Sequence, residues 1–119
     1  MVVKTTAICY NPFRKRGVVR MQELHSISEI RAIVNPIAKA YGAERVFLFG
    51  SYARGDAHPG SDVDLRIDKG TIRGLRFAGL LGDLQDALGT SVDLVSTNGM
   101  DETFRRAIAP EEVLLYERQ

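Results

Sequence analysis

The 119-residue sequence predicts one mixed α/β domain, a small β-sheet with helices packed on it. Three observations carry that expectation. Residues 45–49 form a short continuous apolar run that ends in Gly50, residues 62–68 alternate strictly between polar and apolar, and apolar residues recur at helical spacing on either side of these segments. The length suits a single modest core and leaves no room for a separate substrate-recognition domain. An apolar fraction of 45% and a charged fraction of 26% are ordinary for a globular protein.

Each element has a local reason. Ser26-Ile27-Ser28-Glu29 has the form of a capping box, a hydroxyl followed three residues later by a carboxylate that reaches back. Behind it Ile27, Ile30, Val34, Ile37 and Tyr41 make one apolar helix face, and Gly42 supplies the stop. Pro36 lies inside that period and is expected to bend the helix without ending it. Arg45 to Phe49 reads as a strand buried on both faces. A tight turn or short helix follows from Ser51 to Arg54, and Gly55 to Ser61, with Pro59 and Gly60, reads as loop.

Asp62 to Asp68 then reads as a half-buried strand with Val63, Leu65 and Ile67 inward and Asp62, Asp64, Arg66 and Asp68 on the polar face. From Arg73 to Leu88 the positions Phe77, Leu80, Leu81, Leu84 and Leu88 form a helical stripe. Gly74, Gly79 and Gly82 weaken it intrinsically and are expected to permit close packing on the sheet. Ser91 to Val95 is a third strand and Asp101 to Ala109 a last helix, stopped near Pro110. Val113 to Tyr116 closes the chain as an extended segment or a final helical turn.

The charge is unevenly spread. Residues 1–20 hold Lys4, Arg14, Lys15, Arg16 and Arg20 with no acid, which leaves eleven basic against fifteen acidic residues in the remainder, a balance of −4. The chain therefore divides into a basic extension, 1–22, expected to be poorly ordered or to precede a functional start at Met21, and a compact domain, 23–119. The extension can touch nucleic acid or an acidic partner, but the mildly acidic domain is not expected to bind nucleic acid directly. Cys9 alone makes neither a disulfide nor a cysteine zinc site. With no apolar span of membrane length and no signal-like start, a cytoplasmic protein is expected.

The chemistry concentrates between residues 50 and 93. Gly50-Ser51, directly after an apolar run, offers backbone N–H groups and a hydroxyl to phosphate oxygens. Asp62 and Asp64 flank one residue, so on a strand both carboxylates leave the same face, about 7 Å apart at ~3.3 Å per residue. Asp93 joins them if its strand is a neighbour. Three carboxylates suit Mg²⁺, which keeps room for water and phosphate oxygens, and two such ions can clamp an in-line displacement. Arg54 lies close enough in sequence to add positive charge. Taken singly, a Gly-Ser turn, an Asp-x-Asp and a strand-edge Asp are commonplace; buried among apolar neighbours, carboxylates without a partner are costly. Their joint occurrence points to phosphoryl or nucleotidyl transfer.

At these residues the chain resembles the nucleotidyltransferase superfamily with a polymerase-β-type catalytic core, whose hallmark is Gly-Ser, ten intervening residues, then Asp-x-Asp. Gly50, Ser51, Asp62 and Asp64 match that spacing, and Asp93 in Val-Asp-Leu-Val stands where the superfamily has its third carboxylate. Gly-Ser-Tyr-Ala-Arg-Gly followed by Ser-Asp-Val-Asp-Leu is similar, more closely, to the minimal nucleotidyltransferase (MNT) proteins, over roughly residues 25–117. That resemblance implies catalytic and metal-binding roles for Asp62, Asp64 and Asp93, nucleotide binding at Gly50, Ser51 and Arg54, and two Mg²⁺ ions with ATP as substrate. It further implies an antitoxin that transfers AMP to a tyrosine of a partner HEPN-domain ribonuclease toxin, in a complex with it. An antitoxin that works by binding alone, and a transferase acting on a small-molecule hydroxyl, are the alternatives. Arg66 departs from the family's apolar preference and puts a cation beside the site, where a modest effect on nucleotide affinity is expected.

Overall fold

A computed structural model describes residues 24–119. The basic extension and Cys9 lie outside the described residues. The first helix, α1, spans Ile27–Tyr41, and both halves of its capping box are formed: the Glu29 N–H donates to Ser26 Oγ (3.1 Å) and the Ser26 N–H to Glu29 Oε1 (2.8 Å). Such a cap is worth about 1 kcal/mol. Gly42, at φ +83°, closes the helix by donating to the carbonyls of Ala38 and Lys39, and Pro36 stays within it.

Strand β1 (Arg45–Phe49) runs into the short helix α2 (Gly50–Arg54), and β2 (Val63–Asp68) returns antiparallel to β1. Helix α3 (Leu75–Leu88) then carries the chain across to β3 (Val92–Ser96), which lies parallel to β2 as a βαβ crossover permits. The helix begins two residues later than its apolar stripe suggests, because Gly74 sits at φ +56°, ψ −127°, outside helical geometry. After a 3-10 turn at Thr97–Gly99, α4 (Glu102–Ile108) is capped by the Asp101 carboxylate, which accepts from the Thr103 and Phe104 N–H groups. A second 3-10 turn, Ala109–Glu111, leads into β4 (Val113–Glu117), so the closing segment is a strand. The sheet order is β3-β2-β1-β4, with β4 antiparallel to β1.

Alternation divides the sheet into an apolar and a polar face. Val46, Leu48, Val63, Leu65, Ile67 and Leu115 pack with Ile30, Val34 and Ala38 of α1 and Leu80, Leu84 and Leu88 of α3 into one core. His25 ties the start of α1 to the end of α3 through the Leu88 carbonyl (2.6 Å). The ladder shifts register between Val46 and Phe47 opposite β4, and Asn35 and Arg31 of α1 donate to the Leu115 and Leu114 carbonyls there, both at 3.0 Å.

Two expectations need correcting. Gly79 gives close packing against α1, since a Cβ there would lie 3.0 Å from the Tyr41 hydroxyl, while Gly82 faces open space; neither serves an approach to the sheet. Strand β1 is fully buried only at Val46, Leu48 and Phe49, because Phe47 lies on the polar face, where the Arg66 guanidinium 4.1 Å above its ring covers it in part.

Candidate active site

The polar face of the sheet carries the candidate site residues, and the strand register decides which of them meet. Residues directly opposite across a ladder share a face. Phe49 of β1 stands opposite Asp64 of β2, and Asp64 stands opposite Asp93 of β3, so the three form one row across the sheet. Neighbouring strands lie about 4.8 Å apart, which puts Asp64 and Asp93 side by side. Asp62 lies one residue before β2. It and Asp93 are exposed, whereas Asp64 is partly buried.

Gly50 closes over this row. It takes φ +77°, in the left-handed region that favours glycine, and a Cβ there would run into the Asp64 carboxylate, 3.0 Å from its Cγ and 3.2 Å from its Cβ. The absence of a side chain is what lets the Gly50 backbone lie against the Asp64 carboxylate. Ser51 opens the first turn of α2, partly buried, with its carbonyl accepting from the N–H groups of Gly55 (2.9 Å) and Asp56 (3.0 Å). Arg54 ends that helix and reaches back towards the same corner.

Electrostatics follow from this crowding. Burial, then the charges of Asp93 and Asp62, push the Asp64 carboxyl up to about 6, against a partial offset from Arg54. Glu111 adds to the same push. Asp93, Asp62 and Glu111 therefore lie within electrostatic reach of Asp64, with Arg54 as the opposing charge. Among the described residues no three acids or histidines stand together as a ready chelating group. The donor set nevertheless fits a hard divalent cation: every candidate ligand is a carboxylate oxygen, and the repulsion that raises Asp64 is what a cation relieves.

Glu111 had no signal in the sequence. It follows a proline in the 3-10 turn before β4, 61 residues from its partner, yet its Oε2 accepts from the Gly50 N–H at 2.7 Å and both its oxygens accept from Arg54 Nη1, at 3.3 and 3.4 Å. Arg54 Nε also donates to Asp56 (3.3 Å). Phe104 was likewise missed. It packs edge-on against Phe49, with centroids 5.9 Å apart, beside the carboxylate row.

Arg66 is placed one row further along the same face and is spent on structure. Its side chain is 7% exposed and donates to Glu112 Oε1 (2.9 Å) and Oε2 (2.5 Å), to Thr97 Oγ1 (2.9 Å) and to Asp68 Oδ1 (3.4 Å). Asp68 in turn accepts from Arg45 (2.7 Å) and Thr97 (2.6 Å). Burial raises its carboxyl, but these hydrogen bonds and the two arginine charges outweigh burial and hold it below its ordinary value. The cation expected beside the site is there, but most of its donors are taken by Glu112, Thr97 and Asp68.

Residues 32–119 match the family model described as polymerase beta, nucleotidyltransferase. The chain belongs to the polymerase-β nucleotidyltransferase family. This nucleotidyltransferase is 31% identical over 98 residues to the protein adenylyltransferase MntA of Thermococcus cleftensis, covering 82% of the present chain and 97% of that relative. It is 33% identical to a solved chain described as a minimal nucleotidyltransferase, with a TM-score of 0.65 over 75% of this chain and 95% of the other, and it falls in that minimal branch. The fold also recurs, at 19% identity and a TM-score of 0.60 over 78% of this chain and 74% of the other, in a tri-AMPylated Shewanella oneidensis HEPN toxin in complex with MNT antitoxin. No described helix is long and apolar enough to cross a membrane.

Proposed function

We propose that this nucleotidyltransferase is a Mg²⁺-dependent protein adenylyltransferase that moves AMP from ATP to a tyrosine of a HEPN-domain toxin and thereby acts as its antitoxin. The observation that carries the reading is the in-register pair Asp64 and Asp93, with the side-chain-free Gly50 against Asp64. The name of the Thermococcus relative and the AMPylated state of the toxin in the Shewanella complex support protein as the acceptor.

In this reading Asp62, Asp64 and Asp93 hold the divalent cations. When bound, these supply charge stabilisation at the transferring phosphoryl group. The Gly50 N–H, the Ser51 hydroxyl and Arg54 bind and orient the triphosphate oxygens, so that the α-phosphorus faces the acceptor. Asp93, exposed at the sheet edge, takes the proton of the tyrosine hydroxyl as its oxygen bonds to the α-phosphorus and the bond to pyrophosphate breaks. The test is transfer of label from α-labelled ATP to a co-expressed HEPN partner. Label should require Mg²⁺ and disappear in the Asp62→Asn, Asp64→Asn double variant; unchanged labelling in that variant overturns the assignment. A double variant that no longer labels yet still neutralises the toxin in cells identifies occlusion as the antitoxin mechanism.

A further inference from the structure

We propose that Glu111 is an intramolecular stand-in for nucleotide phosphate, and that it sets the affinity of the site by occupying the donors the triphosphate needs. The inference rests on the nucleotide-binding reading above. Three facts lead to it. The Gly50 N–H has one hydrogen to give, and Glu111 Oε2 takes it at 2.7 Å. Arg54 Nη1 is drawn to both oxygens of the same carboxylate. Glu111 also brings a further carboxylate to the backbone that lies against Asp64, where like charges repel.

Nothing about acid clustering favours a carboxylate there; the Gly50 amide and Arg54 hold it. Those are anion-binding donors, and a carboxylate and a phosphate oxygen compete for them as the same kind of acceptor. A nucleoside triphosphate therefore binds by displacing Glu111. The adjacent residue limits how far the chain yields. Glu112 is fixed by Arg66 at two oxygens, at 2.5 and 2.9 Å, and β4 begins at Val113, so the exchange is a side-chain rotation at Glu111 rather than a shift of the turn. Once rotated, Glu111 frees the Gly50 N–H and Arg54 together, and its negative charge leaves the neighbourhood of the incoming phosphates.

Titration calorimetry of the full chain with AMP-PNP and Mg²⁺ tests this, using wild type, Glu111→Ala and Glu111→Gln, each checked by circular dichroism. Both variants remove the competing charge, and glutamine keeps the side-chain volume and a neutral acceptor should alanine disturb the turn. The expected result is binding about tenfold tighter than wild type, from loss of one charge-assisted competitor. The KM for ATP falls in the same direction. Binding that is unchanged or weaker in both folded variants overturns the inference and makes Glu111 a strut for the turn, leaving the proposed function standing. No nucleotide binding by any of the three proteins overturns that function and the inference with it.

Discussion

Replacing Gly50 by alanine tests the site through the one atom it excludes, and Gly42 provides the internal reference. Both glycines sit in left-handed backbone, at φ +77° and +83°, but a Cβ on Gly42 meets nothing within 4 Å while one on Gly50 overlaps the Asp64 carboxylate. Gly42→Ala therefore incurs only the conformational cost of an L-residue there, about 1 kcal/mol. Gly50→Ala incurs the same and must also drive Asp64 from its rotamer within a packed corner, which adds about 2 kcal/mol. For a domain of this size each kcal/mol moves the melting temperature by roughly 4–8 °C, so the two variants should melt about 10 °C apart. Because Gly50→Ala displaces a carboxylate of the reacting centre, transfer should fall about a hundredfold, while Gly42→Ala stays near wild type. The assays are thermal unfolding by circular dichroism and AMP transfer under identical conditions. Equal melting temperatures, or full activity in Gly50→Ala, would refute the close contact between Gly50 and Asp64 on which the site is built.

The pH behaviour of the metal-free protein carries a second expectation. Because the folded state raises the Asp64 carboxyl to about 6, it binds that proton more tightly than the unfolded chain does, and stability falls as pH rises from about 4 to about 6. Asp64→Asn should therefore stabilise the protein above pH 6 by about 1 kcal/mol once solvent screening is discounted, a rise of roughly 4–8 °C in melting temperature, with the gain vanishing below pH 4; pH-resolved melting curves without metal check this. Arg66→Met should cost about 3 kcal/mol, read from urea unfolding, because it strands the nearly buried Glu112 carboxylate, while Asp68 keeps Arg45 and Thr97. Its nucleotide affinity, measured by calorimetry, should stay within a factor of two of wild type. Phe104→Ala removes the edge-on contact with Phe49 and should cost about 1 kcal/mol in the same unfolding assay.

Local chemistry made much of this fold legible. The capping box at Ser26, the stop at Gly42 and the alternation through Asp62–Asp68 each depend on residues near one another in the chain, and each is found where the residues require it. The shared face of Asp62 and Asp64 is what a strand period would give, but β2 begins at Val63, so only Asp64 is held by the ladder. What escaped depends on contacts between distant segments. Glu111 reaches Gly50 across 61 residues and Arg66 reaches Glu112 across 46, and nothing in either local sequence marks the pairing. Gly79 looked like a contact with the sheet because a small residue signals close approach without saying to what; the neighbour is Tyr41, whose hydroxyl is held by Asp83 at 2.7 Å. Asp93 lies between these cases. Its strand was readable, but its place beside Asp64 rests on the parallel pairing of β2 and β3.

That pairing makes Asp93 the sharpest single probe of the centre. AMP transfer from α-labelled ATP to a co-purified HEPN partner, in Mg²⁺, should be lost in Asp93→Asn by at least about a hundredfold while the protein melts within a few degrees of wild type. Labelling at the wild-type rate by folded Asp93→Asn would contradict a centre formed by Asp64 and Asp93 under Gly50.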